Sequence, residues 1–85
     1  MVEEIKFYKT SNTEESSFLI ARKHFLLKAG GIEGRFTFIF EDTPALRENL
    51  LDFSSGLGLI SVRALFSAYD RCRDLLWNWK REKNV

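Results

Sequence analysis

Few residues in this 85-residue chain are of a type that does chemistry, and those few are scattered. His24 is the single histidine. A lone histidine at the junction of a helix and a strand suits capping or hydrogen bonding, and no catalytic group can be placed beside it. Binding of a metal by His24, Glu41 and Asp42 would need all three to converge, and their spacing offers nothing like a histidine pair four apart on one helix. Glu41 and Asp42 could in principle act as acid and base. Adjacent strand residues, however, point to opposite faces and do not bracket one substrate. Both instead end a strand and favour the helix start that follows. Cys72, the only cysteine, falls among apolar neighbours on a helical stripe, where burial raises a thiol pKa and makes it inert. Gly30, Gly31 and Gly34 lead into a strand. A phosphate-cradling loop would lead into a helix and carry a lysine in register, so these glycines predict a hairpin. The expectation is a protein that is not an enzyme and holds no cofactor or metal.

Such residues need elements to position them, and the organising stretch is Arg35 to Asp42, in which Phe36, Phe38 and Phe40 recur at period two on one side of a strand. Upstream, Ile5 and Phe7 alternate with Lys6, Tyr8 and Thr10. That pattern predicts a first strand over 2–10 with Ile5 and Phe7 toward the core. Ser11 or Asn12, followed by Glu14 and Glu15, signals a helix start, and a short buried helix to about Lys23 should follow through Phe18, Ala21 and Phe25. The period returns to two from His24 to Ala29 for a second strand. Thr43 and Pro44 then cap and open a second helix carrying Leu46, Leu50 and Phe53, closed by Ser54, Ser55 and Gly56. Leu57, Leu59 and Ile60 predict an apolar connection packed on the core. Ser61 caps the last helix, whose Val62, Leu65, Phe66, Tyr69, Cys72, Leu76 and Trp79 keep a 3.6 period to about Glu82. The resulting fold class is α+β, two-layered, a single domain over 1–85, with a three-stranded, mainly antiparallel sheet and the order β-α-β-β-α-α.

Composition narrows the function classes. Thirteen basic residues face twelve acidic ones, a balance that disfavours a bulk electrostatic partner such as duplex DNA or an anionic membrane while allowing a small basic patch. No run approaches the roughly 18 apolar residues that span a bilayer. The start, Met-Val-Glu-Glu, is acidic where a secretory leader is basic. With a single cysteine, these features predict a cytoplasmic protein.

Two surfaces remain free to do work. A helix of this length outreaches the strands, at about 1.5 Å per residue over five or six turns. The overhang is expected at its end, leaving Leu75, Leu76, Trp77 and Trp79 as an interface, followed by Lys80, Arg81 and Lys83. The second surface is the sheet face opposite the phenylalanines. Parity assigns it Lys6, Tyr8, Thr10, His24, Leu26, Lys28, Arg35, Thr37 and Ile39. Lys6, Tyr8, Lys28 and Arg35 would be its nucleic-acid contacts, although Leu26 and Ile39 suit a protein cover. The leading expectation is a protein-protein interaction domain working as a homodimer, and the alternative is a nucleic-acid-binding regulator.

The stretches Phe7 to Thr10, Phe18 to Leu27, Phe38 to Asp42 and Leu65 to Ala68 together resemble a family of small bacterial and phage-associated domains of unknown function. That family has a tyrosine and threonine strand, an alanine-bearing helix ending in glycine-histidine, an aromatic strand ending in acidic residues, and a closing amphipathic helix. Lys23 stands where the family has its glycine. The resemblance implies a compact domain encoded near mobile elements and brings no catalytic residues.

Overall fold

A computed structural model describes residues 4–56 and 60–83. Six elements follow in the order β1 (Phe7–Thr10), α1 (Thr13–Ala21), β2 (Leu26–Ile32), β3 (Arg35–Glu41), α2 (Pro44–Ser55) and α3 (Val62–Lys83). The three strands form one antiparallel sheet in the spatial order β1-β3-β2, and the helices make the second layer. This is the expected α+β fold.

Local signals act where they stand. The Asn12 side chain accepts from the Glu15 amide at 3.0 Å and opens α1. Thr43 accepts from the Leu46 amide at 3.1 Å ahead of Pro44 and opens α2, so each cap satisfies an amide the helix cannot. Gly56 closes α2 in the left-handed conformation. The hairpin reverses at Glu33 and Gly34, with φ of 52° and 80°, as a two-residue turn between Ile32 and its partner Arg35 requires. Gly30 and Gly31 therefore belong to β2, and the turn is shorter than the run of glycines suggests.

The core is Phe36, Phe38 and Phe40 from β3, covered by Leu19, Leu26, Leu46 and Cys72. Phe36 and Phe38 meet edge to face at 5.1 Å, a favoured aromatic geometry. Where α1 and α3 pack on each other, the side chains of Ser16, Ser17, Ala68 and Cys72 are buried. Being small, they let the helices approach. The two serine hydroxyls donate back to Asn12 O and Thr13 O, at 2.9 and 2.6 Å, so neither is left unsatisfied.

Helix α1 ends at Ala21, short of Lys23, and Phe25, expected on its buried stripe, lies beyond it and is exposed; three further expectations need correction. Strand β1 has the opposite parity: Ile5 and Phe7 are 63% and 56% exposed, while Tyr8 packs against the core. Pairing with β3 decides this, because Tyr8 lies opposite the buried Phe40 and opposed residues share a face. Strand β2 is also not a plain alternation. A bulge between Leu26 and Lys28 inserts Leu27 and puts Leu26 on the core side, not the free side. The third correction concerns α3. Its C-terminal half covers the sheet, with Trp79 packed on Phe36 in a tilted contact at 5.3 Å between centroids, and it is the N-terminal Val62 and Phe66 that are uncovered, at 65% and 64%. The connection through Leu57 and Leu59 lies outside the described residues.

Candidate functional surfaces

The register of the sheet assigns every residue of its open face. From one end, Phe7 lies opposite Glu41, and Phe25 immediately precedes β2, whose pairing begins with Leu26 opposite Phe40. The next row is Lys9, Ile39 and Lys28, followed by Thr37 with Gly30 and then Arg35 with Ile32. Phe25 is 77% exposed and Leu27, the bulge residue, 44%. One end of the face is thus apolar and aromatic, whereas toward the hairpin it becomes basic through the exposed Lys9, Lys28 and Arg35. Of the four residues expected to contact nucleic acid, Lys28 and Arg35 share this face. Tyr8 is turned under the helices, and Lys6 shares its parity. Phe7 and Phe25 are the rings this surface does carry, and the alternation misplaces the first because β1 is apolar at both parities.

Helix α3 carries a second surface. Val62, Phe66, Tyr69, Arg73 and Trp77 recur at spacings of four, three, four and four, which confines them to an arc of roughly 80°. This arc lies beside the buried stripe of Ala68, Cys72 and Trp79, and every one of its residues is exposed, Trp77 at 63%. Beside it, Phe53, Leu65, Phe66 and Tyr69 line an apolar groove, with Glu14 and Ser17 at its α1 edge. Leu75 and Leu76 are half-buried against the core and Trp79 is packed within it, so of the four expected interface residues only Trp77 stands clear.

A polar cluster ties β1 to α1 and α2. The Tyr8 hydroxyl donates to Glu15 Oε1, and burial, with the hydrogen bond and charge of Glu15, pushes its pKa up to about 12. The Arg47 guanidinium lies over the Tyr8 ring, 5.1 Å from its centroid, and grips Asp42 through Nε at 2.8 Å and Nη2 at 2.7 Å. The hydrogen bond from Arg47 holds the Asp42 carboxyl below the usual carboxylate range. Every partner here is engaged, which makes the cluster a clamp rather than a free acid or base. Glu41 and Asp42 do diverge, Glu41 to the open face and Asp42 to α2.

His24 Nε2 lies 2.6 Å from Asn49 Nδ2, a bridge from the α1–β2 connection to α2, and burial lowers its pKa. Burial also pushes the Cys72 thiol up, with Ser17 and Arg71 pulling the other way. Among the described residues, no three His, Cys, Asp or Glu side chains gather as metal ligands would, and no helix is long and apolar enough to cross a membrane. No protein-family model, curated protein or solved structure matches the chain.

Proposed function

We propose that this chain is a non-enzymatic interaction domain that pairs with a second copy of itself through the exposed stripe of α3. The carrying observation is that Val62, Phe66, Tyr69 and Trp77 lie in one arc of a 22-residue helix, with Arg73 within the arc and Asp70 at its edge. Contiguous exposed apolar surface of this kind marks an interaction site.

The stripe is complementary to itself. Two copies of α3 laid antiparallel about a two-fold axis near its centre would bring Asp70 against the partner subunit's Arg73, and Arg73 against the partner subunit's Asp70. The same register sets Phe66, at the lip of the apolar groove, against the partner subunit's Trp77. A two-fold dimer is the commonest closed solution for such a patch. The ridge is narrow, so the interface belongs at the small end of specific interfaces, below about 1,200 Å² in total, with weak and reversible association. A cytoplasmic module carried near mobile elements, as the resemblance implies, is the same reading at a coarser level.

Charge reversal tests the pairing. Sedimentation equilibrium of the parent should show a dimer that weakens modestly as salt screens the two exposed ion pairs. Asp70→Arg and Arg73→Asp should each be monomeric, since each sets like charges against one another, and an equimolar mixture of the two should dimerise, because every cross-pair is then opposite in sign. A monomeric parent, or two variants that dimerise alone as well as mixed, would sink the proposal.

A further inference from the structure

We infer that the open face of the sheet binds single-stranded nucleic acid, stacking bases on Phe7 and Phe25 and holding the backbone with Lys9, Lys28 and Arg35. The inference is independent of the α3 pairing, because it concerns the other side of the molecule.

Phe7 pairs with Glu41 on one side of the central strand and Phe25 immediately precedes Leu26 on the other, and they are 56% and 77% exposed. Exposed rings on one face of an antiparallel sheet are the platform on which unstacked bases sit, since every base offers a π face whatever its identity. Duplexes keep their bases stacked and do not use such a platform. The charges select the partner. Lys9 and Lys28 flank Ile39 in the row next to the rings, and Arg35 stands two rows further on. Near the hairpin a shallow cup of about 700 Å³ has Lys9, Thr10 and Ser11 on one side, Ile32 and Glu33 on the other, and Arg35 and Thr37 of β3 between them. Its hydroxyls and cations suit phosphate and ribose. Glu33 is the opposing charge there, which keeps the patch small and the expected affinity modest. A second copy of this face would set cation against cation, so an anionic partner fits better than self-pairing.

Glu41 lies opposite Phe7 at this end of the face, in position to accept a hydrogen bond from the exocyclic amine of a base stacked there. Cytosine and adenine carry such an amine, and uracil does not. The face should therefore prefer cytosine or adenine to uracil.

The test is fluorescence anisotropy of the whole chain with labelled single-stranded oligo-cytidine, oligo-adenosine and oligo-uridine at two salt concentrations, with unlabelled duplex as competitor. Binding should be saturable and weaken with salt, and the duplex should compete poorly. Phe7→Ser with Phe25→Ser should weaken binding by about tenfold or more, with the fold checked by circular dichroism. Both rings are exposed, so the variant is expected to remain folded. Lys28→Ala should lower the salt slope by about 0.7. Glu41→Gln should reduce the preference over uridine. Asp70→Arg, aimed at α3, should leave binding to a short oligonucleotide unchanged, which separates the two proposals. No saturable binding at low salt, binding that the double phenylalanine variant leaves intact, or binding that duplex displaces as well as unlabelled single strand does, would overturn the inference. Should the double variant lose its fold, Phe25→Ser alone decides by the same loss.

Discussion

The indole of Trp79 lies against the backbone of Gly31, so close that a β-carbon at that position would stand 2.6 Å from Nε1 and 2.9 Å from Cζ2. This contact seats the end of α3 on β2 and explains why a strand interior tolerates two glycines in succession, though only one is needed for space: a β-carbon at Gly30 would meet nothing within 4 Å. Gly31→Ala must displace the indole or the strand and should cost about 1–3 kcal/mol, the usual range for overpacking. Gly30→Ala should be neutral or stabilise by about 0.4–1 kcal/mol, through the unfolded chain. Urea unfolding of the two variants checks the contrast, and equal effects would mean that the Trp79 contact does not hold α3 in place.

Lys23 occupies the left-handed region at φ 73°. Its amide bonds Ile20 O and that of His24 bonds Leu19 O, at 2.9 and 3.0 Å, the paired bonds of a helix end that normally takes glycine. The lysine keeps the geometry glycine would have, at a cost of about 1–2 kcal/mol. Glycine loses part of that gain through its freer unfolded chain. Lys23→Gly should therefore raise stability by about 0.5–1 kcal/mol, and Lys23→Val should lower it. Thermal unfolding that ranks valine at or above lysine would contradict the strain.

How much of this was legible depends on the range of the interactions concerned. Asn12, Thr43, Gly56 and the Glu33-Gly34 turn act on amides or dihedrals within a few residues, and they are readable one segment at a time. The parity of β1 is not, because Ile5, Phe7 and Tyr8 supply apolar surface on both sides, and the choice rests on the pairing with β3, which sets Tyr8 opposite Phe40 and within reach of Glu15 and Arg47. The bulge at Leu27 is likewise a property of the pairing with β3. For α3, length alone predicts an overhang, but which end overhangs follows from Gly31 and Trp79, 48 residues apart in the chain. The aromatic pair on the open face was hidden for the same reason, since it needs both the reversed parity and the bulge.

Tyr8 makes stability sensitive to alkali. Its pKa is raised in the folded chain to about 12, above an ordinary value of 10.0, so folding favours the neutral phenol. The contribution is fully present below about pH 10 and is lost as pH rises through about 12. Tyr8→Phe removes the hydrogen bond to Glu15 and should cost about 1 kcal/mol at neutral pH, with the gap from the parent closing toward pH 12. Denaturant midpoints across that range check it, and a gap that stays constant would mean that Tyr8 ionises no differently in the folded chain.

His24 sets the acid limb. Burial lowers its pKa below 6.5, so the unfolded chain takes up a proton that the folded chain resists, and stability falls as pH drops below about 6.5. The contact with Asn49 sharpens this. Neutral imidazole accepts from the Asn49 amide nitrogen at Nε2, while imidazolium can only donate there and would force the amide to turn. Asp42 acts in a separate window: its lowered pKa makes its contribution fade only as pH falls below the usual carboxylate value of 3.8. His24→Gln keeps an acceptor toward Asn49 without a titrating group and should flatten the slope just below pH 6.5 while leaving the carboxylate limb in place. Asn49→Asp should act in the opposite sense, pairing imidazolium with a carboxylate and raising the His24 pKa. The first is read from denaturant midpoints across pH, and the second by following the His24 ring resonances through an NMR titration. A His24 pKa at or above 6.5 in the parent, or one that Asn49→Asp leaves in place, would show that the bridge to α2 does not govern the acid limb.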